Sequence, residues 1–246
     1  MAQTTESTIH QKEADRETQQ IGTAALAVCP IDEARTAVGK NIIVKQSSIY
    51  RVTKRLVDIV FSLVGIILLL LVFLVIAVCV KLNDGGSILY FREIVGLHGR
   101  RFFALKFRTM IPDADAFLEK HPEIQRQFNQ HMKLVYDPRV TRIGGFLRKT
   151  SLDELPQLFN VLIGQMSLVG PRMIHPSELA RYGAFAEKRL SVKPGITGLW
   201  QLYGRHQDSL EKRITLDMQY IDSCNIFLDL LILLKTIKVF VVHTGV

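Results

Sequence analysis

The hydropathy pattern along this chain is dominated by one apolar block. Between Val57 and Val80, a run of 24 residues, only Asp58 and Ser62 are polar. As a helix rising ~1.5 Å per residue this block would reach about 36 Å, enough for a hydrocarbon core about 30 Å thick. It predicts a membrane-inserted helix over residues 51–82. The block holds no proline, so nothing local predicts a sharp kink. Lysine and arginine flank both ends, five in residues 37–56 and four in residues 81–101. The positive-inside rule therefore names no outer end, and the near-symmetry fits a re-entrant hairpin better than a simple span.

Downstream the period shortens. Gly86–Met110 reads as strand, glycine-bearing turn and strand. Alternation in the second strand sets Phe103, Leu105 and Phe107 on one face and Ala104, Lys106 and Arg108 on the other. From Asp113 to about Leu134, Ile124, Phe128 and Met132 recur every four residues and predict a helix. Leu155, Leu158, Phe159 and Leu162 form a second helical stripe, with Gly164 as its stop. Ser167–Met173 reads as a turn carrying Arg172, HPSELARYGAFAEKRL as another helix, and Val192–Arg205 as a loop. The closing stretch NIFLDLLILLKTIKVFVVH is apolar but interrupted by Asp229, Lys235 and Lys238. It suits a helix in the core or in the membrane interface, with the interface preferred. The expected fold class is α+β, mainly helical: a re-entrant or spanning membrane helix, a short β-hairpin and interfacial amphipathic helices.

Residues 1–50 are polar, lack the early apolar core of a signal peptide, and are expected to be a disordered tail. They hold five Lys/Arg and six Asp/Glu, a net of −1, so the +8 of the whole chain leaves +9 on residues 51–246. A basic body beside an apolar anchor suits anionic lipid headgroups or phosphate-bearing substrates. A nucleic-acid partner is not expected, because there is a single Trp and no known binding motif. Cys29, Cys79 and Cys224 are too scattered for a disulfide frame or a zinc site.

The chemistry concentrates in RKTSLDELPQLFN, residues 148–160. Ser151 and Glu154 have the spacing of a capping box, and acids near a helix start are favoured by its dipole. Capping alone does not need Asp153, nor does it explain Arg148 and Lys149. Neighbours in a helix point about 100° apart, so the two acids can flank a metal-bound phosphate from different angles. Nearby cations favour the ionised Asp153 that a carboxylate nucleophile needs.

Five stretches follow in order: KRLVDIVFSLVG with the apolar block, SILYFR with KFRTM, DPRVTRIG, RKTSLDELPQLFNVLIGQMSLVGPR, and KPGITGLWQLYGR. Together, over about Lys54 to Ile237, they resemble the bacterial sugar transferases, monotopic phosphoglycosyl transferases that act on polyisoprenyl phosphate. The likeness is nearest to the galactosyl or glucosyl phosphate transferases that start exopolysaccharide assembly. It implies a UDP-hexose donor, undecaprenyl phosphate as acceptor, Mg²⁺, membrane lipids around the anchor, and a place at the cytoplasmic face of the bacterial inner membrane. Asp153 would be the nucleophile that forms an aspartyl phosphosugar and releases UMP. Glu154 would assist, and the two acids would hold the metal. Lys106, Arg148 and Arg172 would bind phosphate. Arg108, Gly195, Thr197, Trp200 and Gln201 would lie at the nucleotide. Residues 83–246 would form the catalytic domain; the resemblance leaves the sugar and any homo-oligomer open.

Two departures stand out. The family breaks its membrane helix at a Ser-Pro-like step, where this chain has Leu70–Leu71; and Met173 replaces the proline that usually follows Pro-Arg. Other readings are a catalytically silent membrane adaptor built on the same scaffold, which would be expected to lose the acidic pair, and a metal-dependent glycosyltransferase. The latter would need a larger nucleotide-binding domain and a D-x-D motif.

Overall fold

The computed structural model describes residues 46–131, 134, 136–204 and 209–242. The expected tail lies outside them up to residue 45, and its last positions, Ser48 to Tyr50, are already helical. The apolar block forms two helices, α1 (Ser48–Leu68) and α2 (Leu70–Asp84), bent by 61° at their junction. No single described helix is long and apolar enough to cross a membrane; the bent pair meets that test only together. The missing proline leaves no local reason for a kink, yet the chain breaks at Leu69, within one residue of Leu70.

Packing accounts for the break. On α1, Gly65 lies so close to Leu158 that an added Cβ would sit 3.3 Å from its side chain. On α2, Phe73 meets the rings of Phe107 and Phe159, each at 5.8 Å between centroids. Ile76 and Val80 join Phe107 and Leu147 in a small core. The two arms are held to different parts of the domain, and the backbone bends between them. The polar residues of α1 have partners too. Asp58, 3% exposed, accepts the Ser167 hydroxyl at 3.0 Å and the Leu168 N–H at 2.9 Å. Arg55 donates to the carbonyls of Val161 and Leu162, both at 2.7 Å, which satisfies the end of a helix that would otherwise leave them orphaned.

Strands β1 (Leu89–Val95) and β2 (Arg101–Phe107) pair antiparallel, Leu89 opposite Phe107 and Val95 opposite Arg101, as their alternation predicts. Both faces meet a core: Phe102 and Ala104, on the face with the cations, are in the main core, while on the other face Phe103 is exposed and Phe107 lies in the small core. Helix α3 (Ala114–Lys120) and helix α4 (Pro122–His131) divide the single helix expected from Asp113 to Leu134. Pro122 has no N–H to continue the ladder but is well suited to begin a new helix.

Thr141 caps α5 (Arg142–Thr150), its hydroxyl accepting the Gly144 N–H at 2.9 Å. A 3₁₀ turn (Leu152–Glu154) and α6 (Gln157–Leu162) follow, and Gly164 closes the segment at φ 88° as its position predicts. The expected turn and loop each contain a strand: β3 (Ser167–Val169) pairs parallel with β4 (Gly195–Thr197). Three residues are too few for alternation to register. HPSELARYGAFAEKRL is not one helix; 3₁₀ turns over Pro176–Phe185 are interrupted at Gly183 (φ 52°) before α7 (Ala186–Arg189). The chain ends in α8 (Leu199–Tyr203), α9 (Leu210–Ser223) and α10 (Ile226–Val242). Helix α10 packs into the core along one side and leaves apolar residues exposed along another. Asp229 and Ile232 turn inward, 2% and 1% exposed, whereas Phe227, Leu234 and Ile237 lie on an exposed apolar face.

Candidate active site

At the end of α5, Ser151 takes a left-handed conformation, φ 56° and ψ 17°. A helix N-cap needs extended backbone. Ser151 instead ends the preceding helix, and its side chain does not cap the turn that follows. The capping box expected of Ser151 and Glu154 is therefore absent, and the tight turn presents Asp153 and Glu154 towards β2.

Lys106 stands between the two acids. Its Nζ lies 2.6 Å from Glu154 Oε1 and 3.6 Å from Asp153 Oδ2. Arg172 Nη2 approaches the same Glu154 oxygen at 3.8 Å. Arg148 donates from Nε to the Thr109 hydroxyl at 2.8 Å and acts on Asp153 through its charge rather than by contact. All three cations assigned to phosphate therefore converge on the acidic pair, on β2, on α5 and on the segment after β3.

Asp153 is 7% exposed. Burial pushes its carboxyl above the ordinary aspartate range; Lys106 pulls it back, Glu154 raises it again, and Arg148 lowers it less. The expectation that cations set its state is thus corrected: desolvation outweighs them. Burial likewise lowers the pKa of the Arg148 guanidinium, against the pull of Asp153.

The turn carrying Arg172 is held from beneath. Arg189, fully buried, donates to the Arg172 carbonyl at 2.7 Å and reaches the Pro171 carbonyl at 3.4 Å. Asp217 accepts the Tyr182 hydroxyl at 2.8 Å and lies 3.7 Å from Arg189 Nε. Met173, where the family pattern has proline, is 5% exposed and part of the core. Sequence reasoning did not reach Arg189, Asp217 or Tyr182. The one trace of them is a lone acid between the apolar Leu216 and Met218.

The residues assigned to the nucleotide fall in two places. Arg108 forks onto the Asp84 carboxylate, holds it down to about 2, and donates to the Met110 carbonyl at 2.9 Å. That fastens the end of α2 to β2. Gly195 bridges to Arg172, and an added Cβ there would lie 2.1 Å from Gly170 N, so only glycine fits. Thr197 meets the Thr236 hydroxyl at 2.7 Å. Gln201 Nε2 lies 3.4 Å from the Ile196 carbonyl, and its Oε1 is buried with no hydrogen-bond partner. Trp200 is partly exposed, its ring against Gly204. Gly195 therefore adjoins the acidic pair through Arg172, while Thr197 faces α10.

Among the described residues no cluster of three or more His, Cys, Asp or Glu could hold a metal ion. Asp153 and Glu154 still offer two adjacent carboxylates, which is what Mg²⁺ takes when substrate phosphates and water supply the rest. The donor set fits such an ion.

A buried acidic pair ringed by cations, set against a broken apolar helix, defines the class of site. Residues 49–243 match the family model for the bacterial sugar transferases, and the chain belongs to that family. It is 45% identical over 209 residues to the UDP-galactose-lipid carrier transferase of Erwinia amylovora, covering 83% of this chain and 43% of that protein. It is 42% identical over 196 residues to the exopolysaccharide production protein ExoY of Rhizobium meliloti, covering 78% and 87%. With the undecaprenyl-phosphate galactose phosphotransferase of Salmonella typhimurium it shares 42% identity over 211 residues, covering 84% and 44%. The chain thus spans most of the Rhizobium protein but less than half of the other two.

Proposed function

We propose that this protein transfers a hexose-1-phosphate from a UDP-sugar to undecaprenyl phosphate at the cytoplasmic face of the bacterial inner membrane. The observation that carries the reading is the Asp153–Glu154 pair enclosed by Lys106, Arg148 and Arg172. The printed names of the Erwinia and Salmonella relatives, a lipid carrier transferase and an undecaprenyl-phosphate phosphotransferase, support the substrate classes.

In the first half-reaction an Asp153 carboxylate oxygen attacks the β-phosphorus of the donor. The bond from that phosphorus to the oxygen bridging to the α-phosphate breaks, and its electron pair leaves with UMP. The sugar phosphate remains on Asp153 as an acyl phosphate. In the second, an oxygen of the lipid phosphate attacks the same phosphorus and the Asp153 carboxylate departs, leaving a polyprenyl-diphosphate sugar. Burial makes the charged carboxylate costly, so forming the bond relieves that cost. Lys106 and the two arginines offset the phosphate charges that would otherwise repel the acid, and arginine suits bidentate phosphate contact. Asp153 and Glu154 would hold Mg²⁺, which when bound neutralises charge on the transferring phosphoryl group.

The membrane assignment rests on the exposed apolar residues of the bent pair, among them Leu68, Leu70 and Leu71, and on the apolar face of α10. An open apolar groove of about 680 Å³ between α2, β2 and α6, lined in part by Leu74, Phe107 and Phe159, offers surface for an isoprenoid chain. The test is UMP release from a panel of UDP-sugars, with Mg²⁺ and undecaprenyl phosphate, by protein extracted from membranes. Release that needs metal and lipid phosphate and is lost in Asp153→Asn supports the reaction. No release with any donor, from folded protein, would make the chain a silent adaptor.

A further inference from the structure

We propose that Arg189, steadied by Asp217, is a positioning residue that aims Arg172 at the donor's diphosphate, acting wholly through the backbone around Arg172. The proposal rests on the role given to Arg172 above. Arg189 engages the carbonyls on both sides of the Arg172 Cα: its Nη2 lies 2.7 Å from that of Arg172 and 3.4 Å from that of Pro171. The neighbours are held as well: Gly195 N–H donates to the Pro171 carbonyl at 2.9 Å, and Arg213 donates to the Met173 carbonyl at 3.2 Å. With the peptide units before and after Arg172 both held by their carbonyls, its φ and ψ are fixed, and so is the direction in which its side chain leaves the chain.

The pair is a poor device for stability alone. Arg189 is fully buried, yet its Nε and Nη1 have no hydrogen-bond partner, and neither has Asp217 Oδ1. Arg189 Nε stays 3.7 Å from Asp217 Oδ2. Unmet buried groups are costly, and a pair kept for its mutual attraction would close that gap. Arg189 stands off from Asp217 because its Nη2 is committed to the Arg172 carbonyl. It also supplies what Met173 removes, since a proline at that position would fix the chain by its own ring.

The test is a double-mutant cycle read by UDP binding in calorimetry, with the full-length protein in detergent. Arg189→Met together with Asp217→Asn removes both charges, so that neither is left unpaired in the core. Thermal melting confirms folding. Arg189→Lys, which keeps the charge but lacks the fixed fork, is the milder second variant. Arg172→Ala and the neutralised pair should each weaken UDP binding by roughly tenfold, and all three changes together should weaken it no more than Arg172→Ala alone. Arg189→Lys should lose several-fold. Losses that add, or unchanged affinity in folded neutralised protein and in Arg189→Lys, overturn the proposal; so does wild-type protein that does not bind UDP. Wild-type protein that binds UDP through this cycle but never releases UMP overturns the transfer reaction and leaves the positioning role standing.

Discussion

Lys54 reaches Asp229 at 2.8 Å, whereas Lys106 reaches Asp153 only at 3.6 Å. The first pair ties α1 to α10, and its carboxylate is saturated: it also takes the hydroxyl of Tyr50 at 2.9 Å and that of Tyr220 at 2.8 Å. The second carboxylate shares its lysine with Glu154, which holds the shorter contact at 2.6 Å. Both aspartates are buried and both face a lysine. They differ in how completely the surroundings answer the charge. A fully matched carboxylate fastens elements together, while one buried and incompletely matched keeps a charge that a bond to phosphorus can discharge.

The contrast can be broken most directly at the two aspartates. Asp153→Asn should lower UMP release by roughly 10⁴-fold or more without loss of melting temperature at neutral pH. The sign follows from linkage: the folded pKa of Asp153 is raised. Its contribution to stability is therefore present below the ordinary aspartate range and lost as pH rises through the raised value. A neutral side chain costs nothing at pH 7, and a large drop in melting temperature would make Asp153 a second fastener. Asp229→Ala should do the reverse, costing about 3–5 kcal/mol in denaturant unfolding while turnover per folded molecule stays near wild type.

Smaller changes sharpen the same contrast. Lys106→Met should slow UMP release by roughly 10²-fold. It should also move the acid limb of the pH–rate profile to higher pH, because Lys106 is the strongest charge pulling Asp153 down. Activity should fall as pH drops through the Asp153 pKa, with a midpoint above the ~3.9 of a free aspartate. Arg148→Gln, which loses a weaker and indirect influence, should shift that limb less and slow turnover by about tenfold at most. A larger effect from Arg148 than from Lys106 would reverse the order read from the geometry.

Much of this was legible where the cause is local. The seven-residue strands β1 and β2 alternate long enough to show, and Asp153, Glu154 and Arg148 lie in one contiguous stretch. A re-entrant bend was suggested by the flanking charges, but no local cause for the break at Leu69 was legible, because the residues packed against its two arms, Leu158, Phe107 and Phe159, sit far along the chain. Strands β3 and β4 were missed because three residues carry no period. The protonation balance of Asp153 depends on burial, which the cations beside it in sequence do not report. Arg189 acts on backbone groups, and backbone groups leave no mark in the order of side chains.

Arg55 capping the end of α6, Asp58 holding the Ser167 hydroxyl and the Leu168 N–H, and Gly65 lying against Leu158 have a practical meaning for anyone cutting or grafting this protein. A fragment trimmed to residues 85–246 for solubility would lose the partner of two helix-end carbonyls and of a buried strand. A foreign apolar helix of matching length would restore greasiness but not those three contacts. Chimeras built on this protein should therefore be spliced upstream of Arg55.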